Sequence, residues 1–272
     1  MPADFHAEPV VGGPKPDPVL VVDGMVRRFG GLKAVDVAHL EVQRGTITSL
    51  IGPNGAGKTT LFNLLTGFDD PDEGSWHLDG GPLVGISSYE VARRGMVRTF
   101  QLTKSLARLR VLENVLLGAP DQPGERLVRG LLGGWRAKEE ENEQKALALL
   151  DRFGLSDKRD DYAGSLSGGQ RKLLEMARAL MVDPAVIMLD EPMAGVNPAL
   201  TERLLEHITN LRDVERKTVI FIEHDMDVVM GISDWVVCLA LGSVISEGPP
   251  RHVSSDPAVI DAYLGSTHGE SA

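Results

Sequence analysis

The sequence predicts an α/β fold in which a mixed sheet core, with an antiparallel β subdomain, carries an inserted helical subdomain. Four continuously apolar runs rich in β-branched residues are typical of strands buried on both faces. They are TITSLIG (46–52), AVIMLD (185–190), TVIFIEH (218–224) and WVVCLAL (235–241). Because helical stretches follow the first three runs, we expect these strands to pair in parallel.

Two other patterns complete the predicted fold. Segments that alternate apolar and polar residues between Gly-rich breaks predict antiparallel strands. These segments are LVVDGMVRRF (20–29), AVDVAHLEVQ (34–43) and SWHLDG (75–80). From about Glu90 to Met181 the periodicity is helical, with no convincing buried strand. In the last helix of that region, one apolar face is formed by Leu173, Met176, Ala177 and Leu180.

The domain boundaries follow from composition. Residues 1–18 contain five prolines and a Gly-Gly pair, so we expect a disordered tail there. Residues 19–265 are expected to form a single domain with the helical insertion over about 90–181, and residues 266–272 a flexible C-terminus. Residues 255–265 have the pattern of a short amphipathic helix, for which we expect no catalytic role.

Charge, cysteine usage and hydropathy argue against several classes of protein. The 272 residues include 39 acidic and 28 basic side chains, a formal net charge of −11, which disfavours a nucleic-acid partner. One cysteine, Cys238, cannot form an internal disulfide, as is typical of a reducing cytoplasm. No segment approaches the roughly 18 apolar residues of a membrane span, and the first residues lack a secretion signal. We therefore expect a soluble intracellular protein.

A glycine-rich loop matches the phosphate-binding pattern G-x-x-x-x-G-K-[ST] in full. The loop and the residue after it are Gly52, Pro53, Asn54, Gly55, Ala56, Gly57, Lys58, Thr59 and Thr60. Because the loop joins a predicted buried strand to a predicted helix, its backbone N–H groups and the helix N-terminus can converge on an anion. We expect Lys58 to reach the β- and γ-phosphates of a nucleoside triphosphate, and Thr59 to ligate Mg²⁺. The alternative is an ordinary Gly-rich turn.

An acidic pair ends the predicted strand AVIMLD. Asp190 is placed to hold the Mg²⁺ shell, as the second acidic element of a phosphate-loop site does. Glu191, one residue beyond the strand, can orient and polarise an attacking water. An isolated Asp-Glu pair would mean little, but the apolar run before it and the phosphate loop upstream favour the functional interpretation.

The segment Leu166-Ser-Gly-Gly-Gln170 places a hydroxyl and two glycines before a predicted helix, which indicates another anion-binding N-terminus. Downstream of a phosphate loop and ahead of Asp190, it resembles the signature of ATP-binding-cassette (ABC) ATPases, a P-loop NTPase family. The resemblance extends from about Val19 to the end and implies head-to-tail pairing of two cassettes. The residues that would then contact, in trans, the ATP held by the other cassette are Ser167, Gly168, Gly169 and Gln170.

Other positions match the family one by one, and their roles are those that the resemblance implies. Phe29 would stack on adenine, with a core aromatic in a β-strand as the alternative. Gln101, in RTFQ, would contact Mg²⁺ and the water, and His224, in IEHD, would contact the γ-phosphate. Asn197 departs from the pattern, because the family usually carries Asp there.

Several classes of function are compatible with such a cassette. The ATPase subunit of a membrane transporter is favoured, because the chain has one cassette, no long heptads and an acidic balance. A soluble cassette protein acting on ribosomes or DNA is a second class. A P-loop kinase or small NTPase is a third, which LSGGQ and the Asp190-Glu191 pair argue against.

The finer motifs are LLEMARALMVDPAVIMLDEPMAGVNP, IEHDMDVVMGISD and DPAVIDAYLG. They resemble the longer ATP-binding subunit of branched-chain amino acid importers. The resemblance implies hydrolysis of ATP, with Mg²⁺, to power uptake of leucine, isoleucine and valine from the cytoplasmic face of the cell membrane. The implied partners are a second, different ABC ATPase subunit, two membrane permeases and an extracytoplasmic solute-binding protein. Related systems for urea, short amides or lipid extraction are alternatives.

Overall fold

The computed structural model describes residues 7–99, 106–120 and 135–267. Contacts divide the chain into two compact units. The sheet unit comprises the described residues of Met1–Val97, Ala185–Met193 and Leu205–Ala272, and the helical unit those of Arg98–Pro184 and Ala194–Leu204. The insertion predicted at about 90–181 overlaps the first part of the helical unit, and the sequence did not assign residues 194–204 to it.

An antiparallel sheet forms one part of the sheet unit. Its strands are β1 (Pro18–Phe29), β2 (Leu32–Gln43), β4 (Glu73–Leu78) and β5 (Gly81–Pro82), in the order β2-β1-β4-β5. Alternation along β2 buries Val35 and Val37 while Asp36 between them stays partly exposed. Such alternation is what a sheet with one covered face requires. The predicted antiparallel strands are confirmed.

A six-stranded sheet forms the other part. Its strands are β3 (Ile47–Ile51), β6 (Met96–Arg98), β7 (Val186–Asp190), β8 (Thr218–Ile222), β9 (Trp235–Ala240) and β10 (Ser243–Gly248). The order is β10-β9-β3-β8-β7-β6, with β9, β3, β8 and β7 parallel and β10 antiparallel to β9. Every residue of β3 and β8 is buried. The predicted parallel strands with two covered faces are therefore confirmed.

Strand β6 corrects one expectation, since it lies in the region where the sequence indicated only helices. Met96 and Val97 are buried, and the N–H groups of Ala185 and Val186 donate to the carbonyl of Gly95 at 2.8 and 2.9 Å. A strand of three residues is too short to show a period of two, so its pattern could not be told from the surrounding helical sequence.

Helices complete both units. They are α1 (Lys58–Leu65), α2 (Ser88–Arg93), α3 (Val111–Leu116), α4 (Trp135–Arg152), α5 (Gly168–Ala179), α6 (Pro198–Asp213), α7 (Met226–Ile232), α8 (Pro250–Ser254) and α9 (Pro257–Thr267). The predicted apolar face of α5 and the residue after it is buried at all four positions. Among the residues that the structure describes, no helix is both long and apolar enough to cross a membrane.

One apolar cluster lies between the two sheets and α1. It includes Leu20 and Trp76 from the antiparallel sheet, Leu50 and Val237 from the six-stranded sheet, and Phe62 from α1. Since α1 is packed into this cluster through its buried face, the loop between β3 and α1 is held at both ends by well-packed elements.

Residues 13–15 differ from the disordered tail that the sequence predicted for residues 1–18. The side chain of Lys15 is buried, and its ammonium donates to Glu247 Oε1 at 2.9 Å and to the carbonyl of Gly13 at 3.0 Å. The same ammonium lies 4.3 Å from the centre of a Trp235 ring. The structure therefore packs residues 13–15 into the sheet unit, through a contact that proline content alone does not reveal.

Candidate functional site

The glycine-rich loop connects the end of β3 to the start of α1, as its sequence predicted. Gly52, Gly55 and Gly57 have φ angles of +144°, +75° and +101°. A Cβ on Gly52 would lie 2.1 Å from the carbonyl oxygen of Leu239, and a Cβ on Gly57 would lie 2.3 Å from that of Ala34. The first and last glycines are therefore required by close backbone packing.

The chemistry of this loop fits a bound phosphate chain. Gly57 caps α1 without any side-chain acceptor for the N–H groups of the first turn, and such groups attract anions. Asn54, Gly55 and Thr59 are exposed, whereas Gly52 and Ala56 are buried. The loop thus presents backbone N–H groups to solvent, while its buried residues hold it in place.

Lys58 begins α1 and turns back over the loop. Its ammonium is buried and donates to the carbonyl oxygens of Gly52 and Pro53 at 2.7 and 3.0 Å. Burial lowers the pKa of Lys58, while the nearby Glu191 and Asp190 carboxylates act in the opposite direction. The loop lysine and the acidic pair at the end of β7 therefore share one electrostatic environment.

Glu191 and His224 follow neighbouring parallel strands and meet at the same sheet edge. His224 Nε2 and Glu191 Oε1 are 2.8 Å apart, and their side chains are 45% and 40% exposed. The Glu191 backbone is left-handed, with φ of 47°, and its N–H donates to the carbonyl of Ile222 at 3.1 Å. This places a carboxylate and an imidazole together where solvent can reach them, which general-base chemistry on a water requires.

Glu223 is a site residue that the sequence analysis missed. It is buried, and its two carboxylate oxygens accept the N–H groups of Met193 and His224 at 2.9 and 3.2 Å. The carboxylate thus joins the loop after β7 to the loop after β8. A signal was present in the sequence, because an ionisable residue directly follows the apolar run TVIFI and needs partners if buried.

Phe29 ends β1 beside the turn to β2. It is 49% exposed, so the alternative that it is a core aromatic is wrong. Its register partner is Leu32, two residues before Ala34, whose carbonyl closely approaches Gly57. The guanidinium of Arg27 lies 4.9 Å from the Phe29 ring centre. An exposed aromatic face therefore lies in the hairpin that adjoins the glycine-rich loop.

The signature segment lies in the helical unit and caps α5. The N–H of Gln170 donates to Ser167 Oγ at 3.2 Å, and the N–H of Ser167 donates to Gln170 Oε1 at 2.9 Å. A Cβ on Gly169 would lie 1.8 Å from Leu200 Cδ2, whereas Gly168 and Ser167 are exposed. This capping box explains the Ser and Gln at this spacing, and a Cβ on Gly168 would meet only the Gly195 carbonyl oxygen, at 4.0 Å.

Two further predicted positions have different outcomes. Gln101 lies outside the described residues. Asn197 Oδ1 accepts the N–H of Leu200 at 3.0 Å, so this residue caps the start of α6 as Asp would.

A divalent cation fits the donor set that the described residues provide. They contain no cluster of three or more His, Cys, Asp or Glu side chains able to hold a metal by themselves. Mg²⁺ prefers one or two carboxylates together with phosphate oxygens and water. Thr59, exposed on the first turn of α1, and Asp190, at the end of β7, are compatible with such a shared shell.

Comparisons with known families identify the relatives of this chain. The sequence profile described as ABC transporter matches residues 35–194, which is more than half of the chain. A second profile, described as branched-chain amino acid ATP-binding cassette transporter, matches residues 243–269.

Curated relatives align over nearly the whole chain. One is the probable branched-chain amino acid transport ATP-binding protein LivG of Archaeoglobus fulgidus, 40% identical over 93% of this chain and 97% of its own. Another is the high-affinity branched-chain amino acid transport ATP-binding protein BraF of Pseudomonas aeruginosa, 41% identical over 91% of this chain and 98% of its own. LivG of Escherichia coli K12 is 42% identical over the same shares.

Solved structures show the same fold. A nucleotide-free ATP-binding cassette from an ABC transporter has a TM-score of 0.80 at 38% identity, covering 90% of this chain and 98% of its own. The ADP conformation of the ATP-binding cassette MJ1267 has a TM-score of 0.80 at 39% identity, covering 91% of this chain and 99% of its own. The fold class and the resemblance inferred from the motifs are confirmed: the chain belongs to the ABC transporter family and is one of its ATP-binding cassettes.

Proposed function

We propose that this chain is the ATP-hydrolysing subunit of an importer that takes up branched-chain amino acids. The observation that carries hydrolysis is the pair formed by Glu191 and His224, 2.8 Å apart, in the electrostatic neighbourhood of Lys58. The cargo assignment is supported by the C-terminal profile match over residues 243–269 and by the transport function for which the relatives from three organisms are named. The subunit would act at the cytoplasmic face of the membrane.

The glycine-rich loop, residues 52–60, binds the triphosphate. Its backbone donors and the N-terminus of α1 attract the phosphates, and Lys58 exchanges its contacts with loop carbonyls for β- and γ-phosphate oxygens. Phe29 supplies an exposed aromatic face for adenine. Thr59, Asp190 and Gln101 would hold Mg²⁺. When bound, this cation would supply positive charge that offsets the negative charge of the phosphates.

Hydrolysis then depends on Glu191. Its carboxylate orients a water and takes one of its protons as the water oxygen attacks the γ-phosphorus and the bond to the β-phosphate oxygen breaks. His224, hydrogen-bonded to the same carboxylate, holds it in position and lies on the γ-phosphate side. Preorganised geometry of this kind supplies most of the rate in phosphoryl transfer.

The assembly proposed here contains more than one chain. Ser167, Gly168, Gly169 and Gln170 would close over ATP held by a second, different cassette, and its signature would close over the site of this chain. Two membrane permeases and an extracytoplasmic solute-binding protein would complete the importer. Affinity purification from the native membrane tests this: co-purified permeases and a second ATPase support it, and robust activity of a stable homodimer contradicts the second cassette.

Substituting Glu191→Gln tests the catalytic assignment. We expect ATP binding to persist while hydrolysis falls by at least about a hundredfold, the size of effect of a positioned base. Glu206→Gln is the matched control, because Glu206 is exposed on α6 and has no part in the proposed site. Binding is measured by calorimetry and hydrolysis by phosphate release from the purified assembly. Near-normal turnover in Glu191→Gln would remove Glu191 from this role.

Uptake of labelled leucine tests the cargo. Cells that lack the gene for this chain should regain uptake with the wild-type chain and not with Glu191→Gln. Restored uptake of urea or of a short amide, with no effect on leucine, would assign the chain to a different importer.

A further inference from the structure

A tyrosine of the C-terminal helix contacts the first residue of the glycine-rich loop. The N–H of Gly52 donates to the hydroxyl oxygen of Tyr263, on α9, at 2.9 Å, across 211 residues of sequence. Gly52 is buried and lies just beyond β3, whose register with β9 ends at Ile51 and Cys238. A buried N–H beyond the end of a ladder needs another acceptor, and the phenol provides it.

Gly52 is held in place on several sides. Its φ of +144° and the closeness of the Leu239 carbonyl, 2.1 Å from where a Cβ would lie, restrict its backbone. Its own carbonyl accepts the ammonium of Lys58 at 2.7 Å. Gly52 therefore contacts Tyr263 through its N–H and Lys58 through its C=O. The position of Gly52 thus affects where the Lys58 ammonium is held.

The tyrosine is suited to this role by its surroundings. Burial raises the pKa of Tyr263, and the neighbouring Cys238 acts in the same direction, so the phenol is neutral at physiological pH. The helix that carries it is anchored at its start, where Asp256 Oδ1 accepts the N–H of Ala258 at 2.9 Å and Val259 is buried. The whole helix lies within the segment matched by the branched-chain profile.

We propose that Tyr263 is a positioning residue for the phosphate loop: its hydroxyl fixes Gly52, and through it Lys58, so that the C-terminal helix sets the affinity for nucleotide. The inference rests on the proposed nucleotide site at residues 52–60. Tyr263 acts through the loop and does not itself contact the phosphates. The sequence predicts no catalytic role for residues 255–265, and a positioning role is compatible with that prediction.

Calorimetry on the full chain tests the inference, with Mg·ADP and Mg·ATP as probes. Tyr263→Phe removes the acceptor and keeps the ring. We expect both dissociation constants to rise by up to about twelvefold, the limit reached if the whole value of one net hydrogen bond is needed to hold the loop in its binding conformation. The control is Tyr89→Phe, because Tyr89 is exposed on α2 and its ring contacts Arg93, a contact that needs no hydroxyl. In ¹⁵N-labelled protein, the Gly52 amide should exchange with solvent faster in Tyr263→Phe than in the wild type.

Each outcome decides one question. A wild-type chain that binds neither nucleotide contradicts the proposed site itself. A wild-type chain that binds both, with Tyr263→Phe matching it in affinity and in Gly52 amide exchange, overturns the positioning role. Tyr263→Leu separates the hydroxyl from the ring: weaker binding in Leu but not in Phe assigns the effect to ring packing and also overturns the inference.

Discussion

Replacing Lys15 with methionine tests whether the N-terminal segment is part of the folded sheet unit. Lys15 and Glu247 form a buried ion pair, with 1% and 0% of their side chains exposed. The substitution keeps an apolar side chain of similar length over the Trp235 ring and removes the ammonium. Glu247 is then buried without its cation, and removing one partner of a buried pair costs about 3–5 kcal/mol. We expect the free energy of unfolding to fall by that amount.

The loss should depend on pH. Burial raises the pKa of Glu247, and the Lys15 ammonium opposes that rise, so removing the ammonium raises the carboxyl pKa further. An acid whose pKa is higher in the folded state stabilises the fold below its unfolded pKa, and this stabilisation is lost as pH rises through the folded pKa. The destabilisation by Lys15→Met should therefore be larger at about pH 8 than at about pH 5.

Urea unfolding followed by tryptophan fluorescence measures the effect, since Trp76 and Trp235 are both buried in the sheet unit. The midpoint should fall with little change in slope, because the surface exposed on unfolding is nearly the same. A Lys15→Met curve that coincides with the wild-type curve at about pH 8 would show that the buried ion pair does not stabilise the fold.

Two further variants isolate the buried pair. Lys33 pairs with Asp36 on the surface, where the side chains are 49% and 40% exposed, so Lys33→Met should cost less than about 1 kcal/mol. The double variant Lys15→Met with Glu247→Leu removes both charges and should recover most of the lost stability. A double variant as unstable as the single one would show that the lysine acts through something other than charge pairing.

Two more predictions concern the loops and the antiparallel sheet. Glu223→Gln replaces one of the two acceptor oxygens by an amide donor, which then faces a buried backbone N–H. The free energy of unfolding should therefore fall by about 1–3 kcal/mol. Hydrolysis should fall with it through misplacement of His224, as urea unfolding and phosphate release would show; unchanged values in both contradict the bridging role. Partial burial works against a charged His39, but hydrogen bonds to Asp23 and Glu41 outweigh it and raise the His39 pKa. The stabilisation that protonated His39 provides is present below the pKa of His39 in the unfolded chain. It is lost as the pH rises through the pKa of His39 in the folded protein. His39→Gln should therefore lower the Tm more at about pH 5.5 than at about pH 8.5, and an equal shift at both would count against this charge.

The strands of the central sheet could be predicted from the sequence, and so could the placement of Glu191 and His224 just after two of them. Two apolar runs, each ending in an ionisable group, are long enough to be recognised as parallel strands. The carboxyl ends of neighbouring parallel strands lie at one edge, so side chains that follow them come together. That topology explains why the two residues share an edge, whereas the 2.8 Å separation of their side chains depends on loop conformations that the sequence does not reveal.

Contacts between segments far apart in sequence could not be predicted. Lys15 meets Glu247 across 232 residues, and Gly52 meets Tyr263 across 211. Composition correctly describes residues 1–18 as rich in proline, yet it carries no information about an acceptor buried on β10. Local periodicity predicts α9 as a helix, but it does not indicate which of its side chains reaches the glycine-rich loop.

The left-handed backbone at Glu191 constrains the evolution of this position. A side chain at φ of 47° costs about 1–2 kcal/mol relative to glycine in the same conformation. Glycine at that position would relieve this backbone strain and, under the proposed mechanism, would abolish hydrolysis. Selection for thermal stability therefore favours glycine at this position, whereas selection for turnover favours glutamate. Additional stability must then come from substitutions elsewhere in the molecule.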